Sequence, residues 1–248
     1  MADQVTRQTS DGVEMARGIV MTSLVDAVVD DLRGLVLSGE LPPGTPLTEL
    51  DVATRYDVAR ASARAAIERL TSDKVLVRRN HKTARVVDLG PADVRDIYRT
   101  RTYLESEVLR RLAAARTVPA DARTANAEIA SLWAGGSYAV VEPDMRFHTS
   151  LIDALGSERT SAMYHSLAFE VKLCMAQLQG RQRLSPAVIV AEHARLLDLI
   201  EAGDGEGAAH LLDEHLARAR ELLAASLGGE AGPEAYLRSS ALPADGPG

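Results

Sequence analysis

The chain has 248 residues, 46% of them hydrophobic and 25% charged, with a formal net charge of −7. That length points to two domains of unequal size, each able to bury a core of its own. The composition excludes a disordered chain, and no apolar run approaches the roughly 18 to 20 residues of a membrane span. With no basic stretch leading into an apolar one at the N-terminus, the expected location is the cytoplasm, with no membrane partner. Aromatic residues make up only 4% while Ala, Leu, Arg and Glu recur, which favours helices over strands. The single cysteine, Cys174, excludes an intrachain disulfide and a thiolate zinc site. Its neighbours Val171, Leu173 and Leu178 place it on a buried helix stripe.

The acidic average hides an uneven distribution. Between Arg60 and Val87 stand Arg60, Arg64, Arg69, Lys74, Arg78, Arg79, Lys82 and Arg85 against Glu68 and Asp73, a segment of +6. From Leu89 onward 16 basic residues face 22 acidic ones. A basic first third on an acidic chain directs the search for a nucleic-acid face to that third.

In chain order, residues 1–22 lack apolar periodicity and are expected to be disordered, and Met21 is a possible alternative start. A helical pattern runs from Ser23 as N-cap through Leu24, Ala27, Val28, Leu32, Leu35 and Val36 to Gly39. Pro42-Pro43-Gly44 makes a tight connection. Thr48 and Asp51 form a capping box opening a short helix to Tyr56, and Asp57-Val58 turns the chain. A second short helix spans about Arg60 to Ser72 with Ala63, Ala66, Ile67 and Leu70 inward. Val75 to Val87 then reads as a hairpin around Asn80-His81-Lys82-Thr83. From Pro91 to about Leu227 the pattern is helical, interrupted at Pro119, Gly135-Gly136, Gly156, Pro186 and Gly203, which implies six or seven helices. The Gly-, Pro- and Ala-rich tail 228–248 is expected to be flexible. The expected fold is therefore mainly α, with a winged helix-turn-helix over 23–88 and an all-α helical bundle over 91–227.

Arg60 and Arg64 lie four apart, on one side of their helix near its start, with the opposite side apolar. A helix seated in the major groove needs that division, because a planar guanidinium bonds bidentately to guanine while the other face packs on the domain. Arg78, Arg79, Lys82 and Arg85 on the hairpin are placed to reach phosphates or the minor groove, and His81 at its tip is a further candidate for touching DNA. The blander alternative is a set of solvated arginines on an amphipathic helix.

The run Leu32 to Gly44 followed by Leu47-Thr48-Glu49, with Arg60 and Arg64 in register, resembles the opening of the GntR family of bacterial regulators over residues 24–88. The resemblance implies a winged helix that binds a double-stranded DNA operator, with both arginines contacting DNA. The chain departs from the family at Ala59, where Ser or Thr is common, and at Asn80-His81, where the wing tip commonly carries Gly.

Further along, Asp144 and His148 stand one helical turn apart on a face shared with Phe147, Leu151, Ile152 and Leu155. His193 falls on the apolar stripe of another helix and His215 on that of a third, so the four can converge. Three imidazoles and one carboxylate suit a borderline divalent ion such as Zn, Ni, Co or Fe and leave positions open for water or a ligand. Each histidine alone is more commonly a satisfied core residue, and His165 and His210 keep that reading.

This arrangement resembles the FadR-type subfamily of GntR regulators over residues 92–225, whose helical FCD domain holds a metal through an Asp-x-x-x-His pair and two later histidines. The resemblance implies that Asp144, His148, His193 and His215 are metal ligands. It also implies that Arg101, in Arg101-Thr102-Tyr103-Leu104-Glu105, binds the carboxylate of a small organic-acid effector. The alternative for Arg101 is a surface ion pair with Glu105, four residues on. Gly156-Ser157 stands where the family usually has Gly-Asn. The function implied is a ligand-responsive transcriptional regulator, a repressor in the commoner mode, acting as a homodimer on an inverted repeat. A metal-dependent enzyme acting on a small carboxylate is the rival reading, with Glu142 and Glu192 as candidate bases, although Glu192 beside His193 is expected to face another way. A purely structural metal is the third.

Overall fold

The structure, a computed structural model, describes residues 24–78, 83–132, 140–177 and 185–229. The expectations for residues 1–22, Ser23, Arg79 to Lys82, Gly135-Gly136 and residues 230–248 fall outside the described residues.

The first domain opens with α1 (Leu24–Leu37), whose Val28, Val29, Leu32 and Val36 form one buried stripe. The two-residue strand β1 (Pro46–Leu47) follows, then α2 (Glu49–Tyr56). Thr48 caps α2 as the sequence predicts: its side chain accepts from the Asp51 amide while Asp51 accepts from the Thr48 amide. Asp57 ends α2 in the left-handed region at φ 50, a conformation Asp tolerates better than most residues, and so turns the chain toward α3 (Arg60–Ser72). Ala63, Ala66, Ile67 and Leu70 of α3 are all buried. Strands β2 (Leu76–Val77) and β3 (Ala84–Val86) form the hairpin, and β1 adds on the other side of β3, giving the antiparallel order β1-β3-β2 with Leu47 opposite Ala84 and Leu76 opposite Val86. Sequence reading missed β1, because the two residues Pro46 and Leu47, flanked by Thr45 and Thr48, carry no alternation to detect.

The second part consists, among the described residues, of α4 (Pro91–Ala115), α5 (Ala120–Ser131), α6 (Val141–Asp153), α7 (Glu158–Gln177), α8 (Pro186–Ala202) and α9 (Gly205–Ser226). The predicted breaks fall where expected: Pro119 precedes α5, Pro186 is the first residue of α8, and Gly203 closes α8 at φ 85, where any side chain would be strained. Helix α4 runs along α9, and a Cβ on Gly205 would lie 3.0 Å from the Arg110 Cα, so only glycine allows this approach. Helices α6, α8 and α9 surround α4, which places the side chains of four helices in one interior. Cys174 on α7 is fully buried, and burial raises its thiol to about 12, which makes it an inert core residue.

The two parts are not insulated from each other. Most buried apolar residues form one continuous cluster from Val28 through Leu89 and Val94 to Ala224, with Ile129, Val140 and Ile189 in a small separate one. Helix α1 packs on α7. None of the described helices is long and apolar enough to cross a membrane.

Candidate functional site

Helix α6 presents Asp144 and His148 inward on the face that also buries Phe147, Leu151 and Ile152. Helix α8 presents His193 among Ile189, Leu196 and Leu197, and α9 presents His215 among Leu212 and Leu216. All four polar residues are buried, and one ligand atom from each lies within 4.8 Å of the others. The ring centroids of the three histidines stand 5.1 to 5.5 Å apart. Phe147 stacks on His193 at 3.7 Å with the rings nearly parallel, which fixes the imidazole plane.

Two carboxylates behind the cluster set the histidine tautomers. Glu105 on α4 lies 2.7 Å from His148 Nδ1, and Glu192 on α8 lies 2.8 Å from His215 Nδ1. Burial alone would raise Glu105, but Arg101 and His148 beside it outweigh burial and hold the carboxyl well below the usual range. Glu192 is lowered in the same way, against its burial, by His215 and Arg218. An ionised carboxylate only accepts, so Nδ1 of each ring carries the hydrogen and the opposite nitrogen keeps its lone pair toward the cluster. Glu192 is thus outside the cluster, as its position beside His193 suggests, but it reaches across to α9 and orients His215. Burial lowers His148 and lowers His193 further, so both rings are neutral at neutral pH.

A buried polar atom without a partner costs free energy, and this interior holds several. His148 Nε2, both ring nitrogens of His193 and Asp144 Oδ1 bond to nothing among the described residues, although His193 Nε2 and Asp144 Oδ1 approach to 3.6 Å. The donor set and the orphaned atoms together fit a divalent cation of the Zn, Ni, Co or Fe class.

Arg101 is the largest fully buried side chain, and its Nε donates to Glu105 at 2.8 Å. The ion pair with Glu105 therefore exists, but it is a buried one, not the surface pair that four-residue spacing alone allows. Tyr164 on α7 donates to the same oxygen, its hydroxyl 2.5 Å from Glu105 Oε1, while His148 meets Oε2. Glu105 thus joins Arg101, Tyr164 and His148. Sequence reading placed Glu105 only as a neighbour of Arg101 and did not find Tyr164, since residues 105, 148 and 164 meet only through packing.

The remaining candidates fall elsewhere. His165 faces Asp153 at the surface and His210 faces Glu214, and neither enters the cluster. Glu142 is exposed and paired with Lys172. A surface cleft of about 450 Å³ beside α5 and α6 is lined by Pro119, Asp121, Arg146 and Asp153, away from the histidines.

On the first domain, Arg60 and Arg64 project from α3 into solvent with the apolar side turned inward. Arg64 donates to Glu68 at 3.0 Å and lies 3.9 Å from Glu49. Arg78 is exposed beside β2, whereas Arg85 donates to the Gly44 carbonyl at 2.8 Å and so ties β3 to the preceding loop. Arg79, His81 and Lys82 lie outside the described residues.

Residues 24–86 match the model of the bacterial regulatory proteins of the gntR family, and residues 96–218 match the FCD domain. The chain is 26% identical over 217 residues, 86% of its length and 95% of the relative's, to a repressor assigned to the D-xylose utilization operon of Paenarthrobacter nicotinovorans. It is 34% identical over 85 residues, 34% of this chain and 35% of the other, to the gluconate operon transcriptional repressor of Bacillus subtilis (strain 168). A crystal structure of a GntR regulator from Rhodococcus sp. RHA1 shares the fold with a TM-score of 0.69 at 22% identity, covering 83% of this chain and 98% of that one. These relatives are regulators, and the enzyme reading lapses with them. The chain belongs to the GntR family of DNA-binding transcriptional regulators, with a GntR helix-turn-helix domain joined to an FCD domain.

Proposed function

We propose that this regulator is a ligand-responsive repressor that acts as a homodimer in the cytoplasm and carries a divalent metal and a small organic acid in its second domain. The single observation carrying this reading is the convergence of Asp144, His148, His193 and His215, with buried polar atoms that no other described residue satisfies. Zn, Ni, Co or Fe held there supplies a positive charge with open positions for an anion. Arg101 adds a second positive charge, with Nη2 buried and without a hydrogen-bond partner among the described residues, which suits a carboxylate. The names of the relatives, repressors of sugar and gluconate operons, favour repression over activation.

For DNA, Arg60 and Arg64 read base edges from α3, and Arg78, with Arg79, His81 and Lys82 of the hairpin, contacts the backbone or minor groove. Two-fold symmetry matches an operator with an inverted repeat. The acid shifts operator affinity only insofar as it binds the DNA-competent and the released arrangements differently.

The test is fluorescence anisotropy of zinc-loaded protein with labelled DNA from its own upstream region and with scrambled DNA, across a panel of small carboxylic acids. Specific binding weakened by an acid supports the reading, and equal binding to both DNAs, unchanged by every acid, refutes it. Metal analysis of His193→Ala accompanies it: stoichiometric metal retained by that variant removes His193 from the ligand set.

A further inference from the structure

We infer that Tyr98 is an effector-binding residue, and that its hydroxyl and Arg101 jointly receive the two oxygens of a compact carboxylate. The inference rests on the effector reading above. Tyr98 stands on α4 one turn before Arg101 and is 1% exposed. Its hydroxyl is buried and bonds to nothing among the described residues, and the same holds for Arg101 Nη2. The guanidinium carbon lies 5.0 Å from the centre of the Tyr98 ring, so both unused donors issue from one patch of α4. That patch belongs to the same interior as the histidines, because the charges of Arg101, Asp144 and Glu105 all act on the Tyr98 phenol. Burial raises that phenol, so it stays protonated and able to donate.

Tyr164 provides the contrast. It is the same residue type, equally buried, and its hydroxyl is fully used at 2.5 Å from Glu105. The internal needs of the Glu105 arrangement are thus met without Tyr98. A phenylalanine would fill the Tyr98 volume without burying an unused hydroxyl, so this hydroxyl is a standing cost to the ligand-free fold. What it does in the ligand-bound protein explains its presence. The two donors, one charged and one neutral, belong to side chains in contact and have no hydrogen-bond partner among the described residues. A carboxylate supplies two acceptor oxygens and the negative charge that the guanidinium favours, whereas a neutral ligand supplies only the first.

The experiment uses the zinc-loaded full chain and isothermal titration with acetate, lactate, gluconate and citrate, comparing wild type with Tyr98→Phe and Arg101→Lys. The lysine keeps a positive charge beside Glu105 while withdrawing Nη2. The expected result is that acids binding the wild type bind Tyr98→Phe roughly ten- to hundredfold more weakly, as loss of a hydrogen bond to a charged group predicts. Zinc content is unchanged, and the ligand-free variant melts at the wild-type temperature or above it. The near-ultraviolet tyrosine difference spectrum that the acid induces in the wild type is lost in Tyr98→Phe. Acid affinity within twofold of wild type in Tyr98→Phe, with Arg101→Lys impaired, overturns the role of Tyr98 and leaves the effector reading standing. A ligand-free Tyr98→Phe that melts lower or fails to fold shows a structural partner for the hydroxyl and also overturns it. Failure of all four acids to bind the wild type removes the effector reading and this inference with it.

Discussion

Lys74 and Glu170 join the two parts of the chain, the lysine Nζ standing 2.8 Å from the glutamate Oε1 on α7. Beside them Arg33 of α1 lies over the Phe169 ring at 5.6 Å and pairs with Asp73 at the end of α3. Six residues earlier on α7, Tyr164 donates to Glu105 next to the histidines. One helix, α7, therefore touches both the cluster's supporting carboxylate and the segment just after α3. Glu170→Gln is expected to reduce the change in operator affinity that an acid produces, leaving acid and operator affinities measured separately within about twofold. The stability cost is about 1 kcal/mol or less, because Lys74 is largely solvated. Anisotropy with and without acid checks this, and an undiminished acid effect would count against coupling through this contact.

Glu105 balances a buried arginine and orients a buried histidine, so its loss acts on two properties. Glu105→Gln keeps the shape and leaves Arg101 without a counter-charge, which predicts a destabilisation of about 3–5 kcal/mol by denaturant unfolding. The same variant is expected to bind zinc about 10- to 100-fold more weakly, since His148 loses the carboxylate that fixes its tautomer.

The histidine cluster makes the metal-free protein acid-sensitive. His193 and His148 are held below their ordinary value of 6.5 by burial, so in the folded state they resist a proton that the unfolded chain accepts. The unfolded state binds more protons as the pH drops through 6.5, and stability falls from that point downward by about 1.4 kcal/mol per pH unit for each ring still neutral in the fold. Thermal melts of chelator-treated protein between pH 8 and pH 5 should show this slope, and saturating zinc should raise the melting temperature while leaving the onset near 6.5, which the unfolded chain sets. Equal melting temperatures across that range would contradict it.

On α3, Arg64 is engaged by Glu68 before DNA arrives. Alanine at Arg60 or at Arg64 is expected to weaken specific operator binding roughly ten- to hundredfold with the melting temperature unchanged, as removal of a base contact predicts. Glu68→Gln should act in the opposite direction, strengthening operator binding several-fold by releasing Arg64 and removing a negative charge near the phosphates. Weaker binding by Glu68→Gln would show that Glu68 instead holds Arg64 in its reading position.

Much of this protein is legible in one dimension because its information is local. Helix stripes such as Val28-Leu32-Val36 and Ala63-Ala66-Ile67-Leu70, the Thr48–Asp51 cap and the breaks at Pro119, Pro186 and Gly203 each depend on residues within a turn or two. The Asp144–His148 pair is likewise local, and its burial follows from the apolar residues around it. By itself the sequence determined these elements, their order and which histidines turn inward. Tertiary structure alone decided what those histidines meet. Glu105 reaches His148 across 43 positions and Tyr164 reaches Glu105 across 59. The same packing turned the Arg101–Glu105 spacing from an ordinary surface pair into a buried one, left the Tyr98 hydroxyl without a partner among the described residues, and drew β1 onto the hairpin. Such contacts join helix faces whose partners no periodicity specifies, because a stripe records that a residue is buried and not against which neighbour.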